Sequence, residues 1–121
     1  MSAAVDAATR LQQLRERNQD IQAAAVVTLD GFAVHSDLSP GMEADAVAAL
    51  AADLFSRANR TAQDLGHGAV AELFARCASG LTFVVRVNED MVLACIATGD
   101  CSIGLLMLEL RKAATDLAAA V

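Results

Sequence analysis

Apolar and polar positions along the chain change period several times, and each change marks an element. From Ala69 to Val121, three apolar segments (AVAELFARC, LTFVVRV and MVLACIA) are separated only by Ala78-Ser79-Gly80 and Asn88-Glu89-Asp90. Parallel strands need crossovers of about a dozen or more residues, so breaks this short predict an antiparallel meander. Along the first segment, Ala71, Leu73, Ala75 and Cys77 alternate with Val70, Glu72, Phe74 and Arg76. Charges on one face of it predict an edge strand, either blunted by charge or paired with a second copy of the chain. The second segment alternates Leu81, Phe83, Val85 and Val87 with Thr82, Val84, Arg86 and Asn88. Met91 to Ala97 is apolar at both parities, which predicts a central strand with helices over both faces. The turn TGDCS then leads into a last helix, beginning after Asp100 or Ser102 and packing Ile103, Leu106, Met107 and Leu110 inward.

Upstream, residues from about Ala3 to Arg17 have the spacing of a first helix, with Val5, Ala8, Leu11 and Leu14 on its apolar side and Arg10 elsewhere. Asn18 to Asp20 end it. IQAAAVVTL and FAVHS flank Asp30-Gly31, a strong hairpin signal because both turn residues accept positive φ. Ser39-Pro40, followed by Glu43 and Asp45, reads as a cap and a first-turn proline for a long second helix. That helix is expected from about Gly41 to Leu65, stopping at Gly66-His67-Gly68. At about 100° per residue, Val47, Leu50, Leu54, Ala58, Thr61 and Leu65 fall on one side, expected to face the sheet. A neighbouring side carries the small residues Ala44, Ala48, Ala52, Ser56 and Asn59, with Phe55 between the two sides and Asp53, Arg57 and Asp64 on the solvated face. A small-residue stripe lets another helix or chain approach closely, although alanine is also simply a good helix former.

Composition narrows the class. The 121 residues are 55% hydrophobic and only 3% aromatic, without Trp or Tyr, so alanine fills much of the interior and elements approach closely. The length predicts one domain spanning residues 1–121. A formal charge of −6 with no basic run argues against nucleic-acid binding and against docking on an anionic membrane. No apolar run approaches the roughly 18 residues of a membrane span, and the charged N-terminus lacks the apolar core of a signal peptide. Cys77, Cys95 and Cys101 share no metal-like spacing, and a reduced, cytoplasmic protein is expected.

Catalytic patterns are hard to find. Gly99 to Gly104 has the spacing of a phosphate loop, but Leu105-Leu106 occupies the place of Lys and Ser or Thr. His35 and His67 have no Cys, Asp or Glu at ligand or relay spacing, and no cysteine adjoins a His or a basic cluster. The acids Asp6, Asp20, Asp30, Asp37, Glu43 and Asp45 are scattered over caps and turns, where local hydrogen bonding explains them. The expectation is a non-enzymatic interaction module with no cofactor and no metal.

Three segments in this order resemble the roadblock/dynein light chain family, in particular its bacterial MglB-like branch. They are the hairpin AAAVVTLDGFAVHS, the alanine-rich helix EADAVAALAADLFSRANRTAQDLG, and LTFVVRVNEDMVLACIATGDCSIGLLMLELRKAATDL. The resemblance runs from about Leu11 to Leu117. It implies an α+β fold with a five-stranded antiparallel sheet in the order 2-1-5-4-3, the first and last helices on one face and the second on the other. It also implies a homodimer, in which third strands pair and second helices lie side by side; a tetramer is left open by the sequence. The partner it implies is a small Ras-like GTPase whose nucleotide cycle is modulated.

Carried onto this chain, the GTPase-binding residues would be Ala44, Ala48, Ala52, Phe55, Ser56 and Asn59. The dimer interface would use Val70, Glu72, Phe74, Arg76, Ala52 and Phe55. Arg57 and Arg60 are read as exposed helix arginines rather than groups delivered to a phosphate, so selection of one GTPase conformation is the favoured mechanism. A structural adaptor without effect on nucleotide hydrolysis and a small-ligand sensor domain are the alternatives.

Overall fold

The computed structural model describes residues 6–121, so the part of the first-helix reading that falls on Ala3 to Val5 lies outside the described residues. Element order is α1 (Ala7–Arg17), β1 (Ile21–Thr28), β2 (Ala33–Leu38), α2 (Ala44–Asp64), β3 (Glu72–Cys77), β4 (Gly80–Arg86), β5 (Met91–Ala97) and α3 (Ile103–Ala120). The five strands form one antiparallel sheet in the order β2-β1-β5-β4-β3, as the resemblance implied.

Two aliphatic layers sandwich the sheet. On one face Leu11 and Leu14 of α1 and Leu106, Leu110 and Leu117 of α3 pack on Ala24, Val26, Phe83, Val85, Leu93 and Cys95. On the other, α2 packs Val47, Ala48, Ala51, Ala52 and Phe55 on Ala25, Val27, Val84, Val92 and Ala94. β5 is buried at both parities because it lies between β1 and β4 and receives side chains from both layers.

Local chemistry explains the element ends. The side chain of Asp6 accepts from the Thr9 backbone N–H at 2.8 Å, which caps α1 and holds the Asp6 carboxyl below its usual pKa. At the end of α2, His67 N–H donates to Ala62 O and Gly66 N–H to Gln63 O, a Schellman closure that needs the positive φ of Gly66 (+74°). Gly31 (φ +95°) turns the β1–β2 hairpin, and its N–H donates to Thr28 O.

Three expectations are corrected. The second helix starts at Ala44, not Gly41, and its N-cap is Glu43 without a side-chain cap bond. Ser39 is not the cap because its hydroxyl accepts from Arg15 Nη2 at 2.6 Å and its carbonyl closes a turn to Met42 N–H. Asp37 and Leu38 accordingly belong to β2, with Asp37 paired to Arg15 at 3.2 Å. In α1, Ala7 rather than Ala8 is buried, and Arg10 is 5% exposed because α3 lies over it. The third correction concerns the face that α2 presents to the sheet.

Candidate functional site

The side of α2 that meets the sheet is the small one. Ala48 is fully buried and Ala51, Ala52 and Phe55 are buried with it, whereas Leu50 is 71% and Leu65 63% exposed. Of the expected sheet-facing set only Val47 is buried; Leu54 is 36% exposed, Ala58 half-buried and Thr61 exposed. Small side chains win this position because they allow close approach. The tip of the β1–β2 hairpin sits on the same stripe, with a Cβ placed at Gly31 coming 3.7 Å from Ala49 Cα and 4.0 Å from Ala52 Cβ. The small-residue stripe therefore receives the chain's own sheet and hairpin.

This moves several candidate residues out of any partner's reach. Ala48, Ala52 and Phe55, read as GTPase-binding (the last two also as dimer contacts), are buried within their own chain. Ala44 is half-buried, and Ser56 alone of that set is exposed. Asn59 is half-buried and engaged: its Oδ1 accepts from Val70 N–H at 2.9 Å and from Arg86 Nη2 at 3.4 Å. Arg86 also donates through Nε to Val70 O at 2.9 Å and lies over the Phe55 ring, 5.0 Å from its centroid. Neither this cluster nor the outward leucines were picked out from the sequence. The available signals were a charged residue in register with Thr82 and Val84 on one face of β4, and a Leu50–Leu54 pair one turn apart.

Turning the small stripe inward leaves Leu50 and Leu54 beside an open groove of about 330 Å³. Val47, Ala51, Thr82, Ala94 and Ile96 line it, and an Asp53–Arg57 ion pair at 3.1 Å stands at its rim. The sheet has two edges, β2, which pairs with β1, and β3, which pairs with β4, and β3 is the one that carries the expected interface residues. Phe74 on β3 stacks on Phe83, with ring centroids 5.1 Å apart, and stays partly exposed. Glu72 is held by Arg111 of α3, whose Nε donates to Oε2 at 2.9 Å while Nη2 reaches Oε1. That hydrogen bonding lowers the Glu72 pKa. Arg76 is exposed within β3, whereas Val70, expected in the strand, is half-buried and precedes it, since β3 begins at Glu72.

The remaining candidate groups lie apart from this surface. His35 is in β2 and His67 follows α2; among the described residues no group of three or more His, Cys, Asp or Glu side chains could hold a metal ion. Burial pushes the Cys95 thiol up to about 12 and raises that of Cys101, the reverse of an activated thiolate. The Gly99–Gly104 stretch is the turn between β5 and α3 and the first turn of α3. Among the described residues no helix is long and apolar enough to cross a membrane.

Comparison with known proteins places this geometry. An uncharacterized protein of Methanocaldococcus jannaschii is 27% identical over 103 residues, covering 85% of this chain and 90% of that protein. A Roadblock/LC7 domain from Streptomyces avermitilis superposes with a TM-score of 0.87 at 22% identity, covering 95% of this chain and 97% of that one. MglB of Myxococcus xanthus superposes with a TM-score of 0.85 at 19% identity, covering 93% and 92%. Identities this low speak for a shared fold. The family model described as the Roadblock/LC7 domain matches residues 7–97, from the first residue of α1 to the last of β5. Domains of that family are non-catalytic adaptors and regulators. With its sequence matched over that span and its topology the same, this chain belongs to the Roadblock/LC7 domain family.

Proposed function

We propose that this chain is a homodimeric platform that binds a small Ras-like GTPase and modulates its nucleotide cycle by preferring one conformation of the GTPase. The observation that carries the reading is the exposure of Leu50 and Leu54 beside an apolar groove, on the same face of the sheet as the small-residue side of α2 and near the free edge at β3. A chain that leaves large aliphatic side chains in water near a strand with one open edge has a surface suited to a partner. A second copy fits it: β3 adds to β3, the α2 helices lie side by side, and each copy's leucines enter the other's groove. Each leucine fully withdrawn from water would contribute about 1.5–3 kcal/mol.

Of the residues first assigned to the interface, Val70, Glu72, Phe74 and Arg76 remain in this reading, and Leu50 and Leu54 replace Ala52 and Phe55. One solved MglB structure is described as having a tetrameric arrangement, so a dimer of dimers fits the same reading.

The GTPase surface then shifts to the outward ridge of α2, where Ala49, Asp53, Ser56 and Arg60 are exposed. Arg57 is engaged with Asp53, which supports conformational selection over delivery of an arginine to the phosphate. The aliphatic lining of the groove suits a protein partner better than a polar small ligand.

The test is mass by light scattering, on the protein alone and with a candidate GTPase of the same genome loaded with GDP or a non-hydrolysable GTP analogue. A dimer that binds only the GTP-analogue form supports the regulator. A dimer that binds every cognate candidate equally in both forms makes it an adaptor without nucleotide discrimination. A monomer removes the platform.

A further inference from the structure

We propose that Arg86 is a positioning residue for self-association, a clasp that fixes the start of the β3 edge against α2 so that the two move as one body. The inference rests on the dimer reading above and names what holds its two surfaces in register. β3 needs such a device. It has a sheet neighbour on one side only, and the seven residues between α2 and β3, Leu65 to Ala71, include Gly66 and Gly68. Edge strands with few partners are where local opening is cheapest.

The clasp closes that opening at one point. The Arg86 guanidinium lies 5.0 Å from the Phe55 ring centroid, donates to Val70 O at 2.9 Å and reaches Asn59 Oδ1 at 3.4 Å. Asn59 Oδ1 meanwhile accepts from Val70 N–H at 2.9 Å, and the Arg86 backbone N–H donates to Ala71 O at 2.8 Å. Both backbone polar groups of Val70 are thereby tied to α2 or β4, two residues before β3 begins. An arginine suits the task because its planar fork serves two acceptors while its face covers an aromatic ring. Lysine could do only one of these.

If β3 and α2 are held in register by this clasp, losing it loosens the edge while leaving both hydrophobic layers intact. A second copy would then have to order β3 on binding, and affinity would fall without any change in the groove. The experiment uses the full chain carrying Arg86→Met, which keeps the aliphatic stem over Phe55 and removes the donors. Expected are a cooperative melt, a dimer dissociation constant raised at least about tenfold, and faster amide exchange confined to residues 70–77.

Unchanged exchange at 70–77 overturns the clasp, and so does faster exchange with dimer affinity within about twofold of the parent. A weakened dimer with unchanged exchange makes Arg86 a direct contact instead. A monomeric parent would remove the dimer reading itself; the clasp as a restraint on β3 is then judged by exchange alone. Should Arg86→Met fail to fold, Asn59→Ala, which deletes the shared acceptor, is read by the same criteria.

Discussion

Arg10 Nε lies 2.8 Å from Asp116 Oδ2, joining the first turn of α1 to the last turns of α3. The arginine is buried while the aspartate is half-exposed, and among the described residues Arg10 Nη1 is buried without a hydrogen-bond partner. A buried cation with one good partner depends heavily on it. Asp116→Ala is therefore expected to destabilise the fold by about 1–3 kcal/mol, discounted for the exposure of the carboxylate. Arg10→Met, which removes the charge as well, is expected to cost less. Denaturant midpoints in the reverse order would contradict this account.

Gly31→Ala is expected to cost about 1–2 kcal/mol, because φ at +95° is unfavourable for any residue with a Cβ. The added methyl would lie 3.7 Å from Ala49 Cα, an ordinary van der Waals contact, so the cost is that of the backbone conformation. Urea unfolding with an unchanged slope and a lower midpoint is the expected result; no loss of stability would mean that the turn can change conformation.

Leu50→Glu is expected to leave monomer stability within about 0.5 kcal/mol, since the side chain is 71% exposed. The same change is expected to shift the mass in solution to that of a monomer. Ala48→Arg, by contrast, would put a charge where no side-chain surface is exposed, and loss of the folded state is expected rather than loss of partner binding alone. A folded Ala48→Arg protein would show that α2 can turn about its axis.

The Glu72–Arg111 pair gives a pH-dependent contribution of known sign. The hydrogen bond from Arg111 lowers the Glu72 pKa from 4.5, so the folded chain binds this proton less readily than the unfolded one. Its stabilisation is fully present above the unfolded value of 4.5 and is lost as pH falls through the lower folded value. The stability difference between the parent and Arg111→Met should be flat near neutrality and vanish in acid. A difference that persists undiminished in acid would assign Arg111 a role other than pairing with Glu72.

Thiol labelling should separate the cysteines. Cys95 is fully buried with its thiol pushed up to about 12, so maleimide is expected to reach it only on global unfolding. Cys77 is exposed on β3, and its labelling rate relative to a Leu50→Glu monomer reports whether a partner strand covers it.

The hairpin and the meander were legible in the sequence because their information is local, whereas the β1–β5 pairing came from the resemblance. Asp30-Gly31 and the two short breaks around Leu81–Val87 leave few antiparallel pairings open, and Met91 to Ala97 marks the centre through burial at both parities. The orientation of α2 was not legible because hydrophobicity and packing favoured different sides of the helix. Leu50, Leu54 and Leu65 carry the larger apolar area, but the sheet below them accepts Ala48, Ala51 and Ala52 at closer range. A leucine stripe that faces outward reads the same as one that faces inward until the third dimension is known. Asn59 and Arg86 meet across 27 positions, which no local pattern encodes. Arg10, polar by composition, is buried because its partner lies 106 positions away.

The neighbour relation of β1 and β5 governs how this chain folds. Ala24 pairs with Cys95 and Val26 with Leu93, so the middle of the sheet joins strands from near opposite ends of the sequence. The β1–β2 hairpin can form early, yet its inner edge stays unsatisfied until Ala97 has been made. Closure over so long a loop is slow compared with hairpin formation. During synthesis the apolar run Ala23 to Val27 waits with its inner edge open, and in that interval, more than in the finished fold, the nascent chain is prone to aggregate.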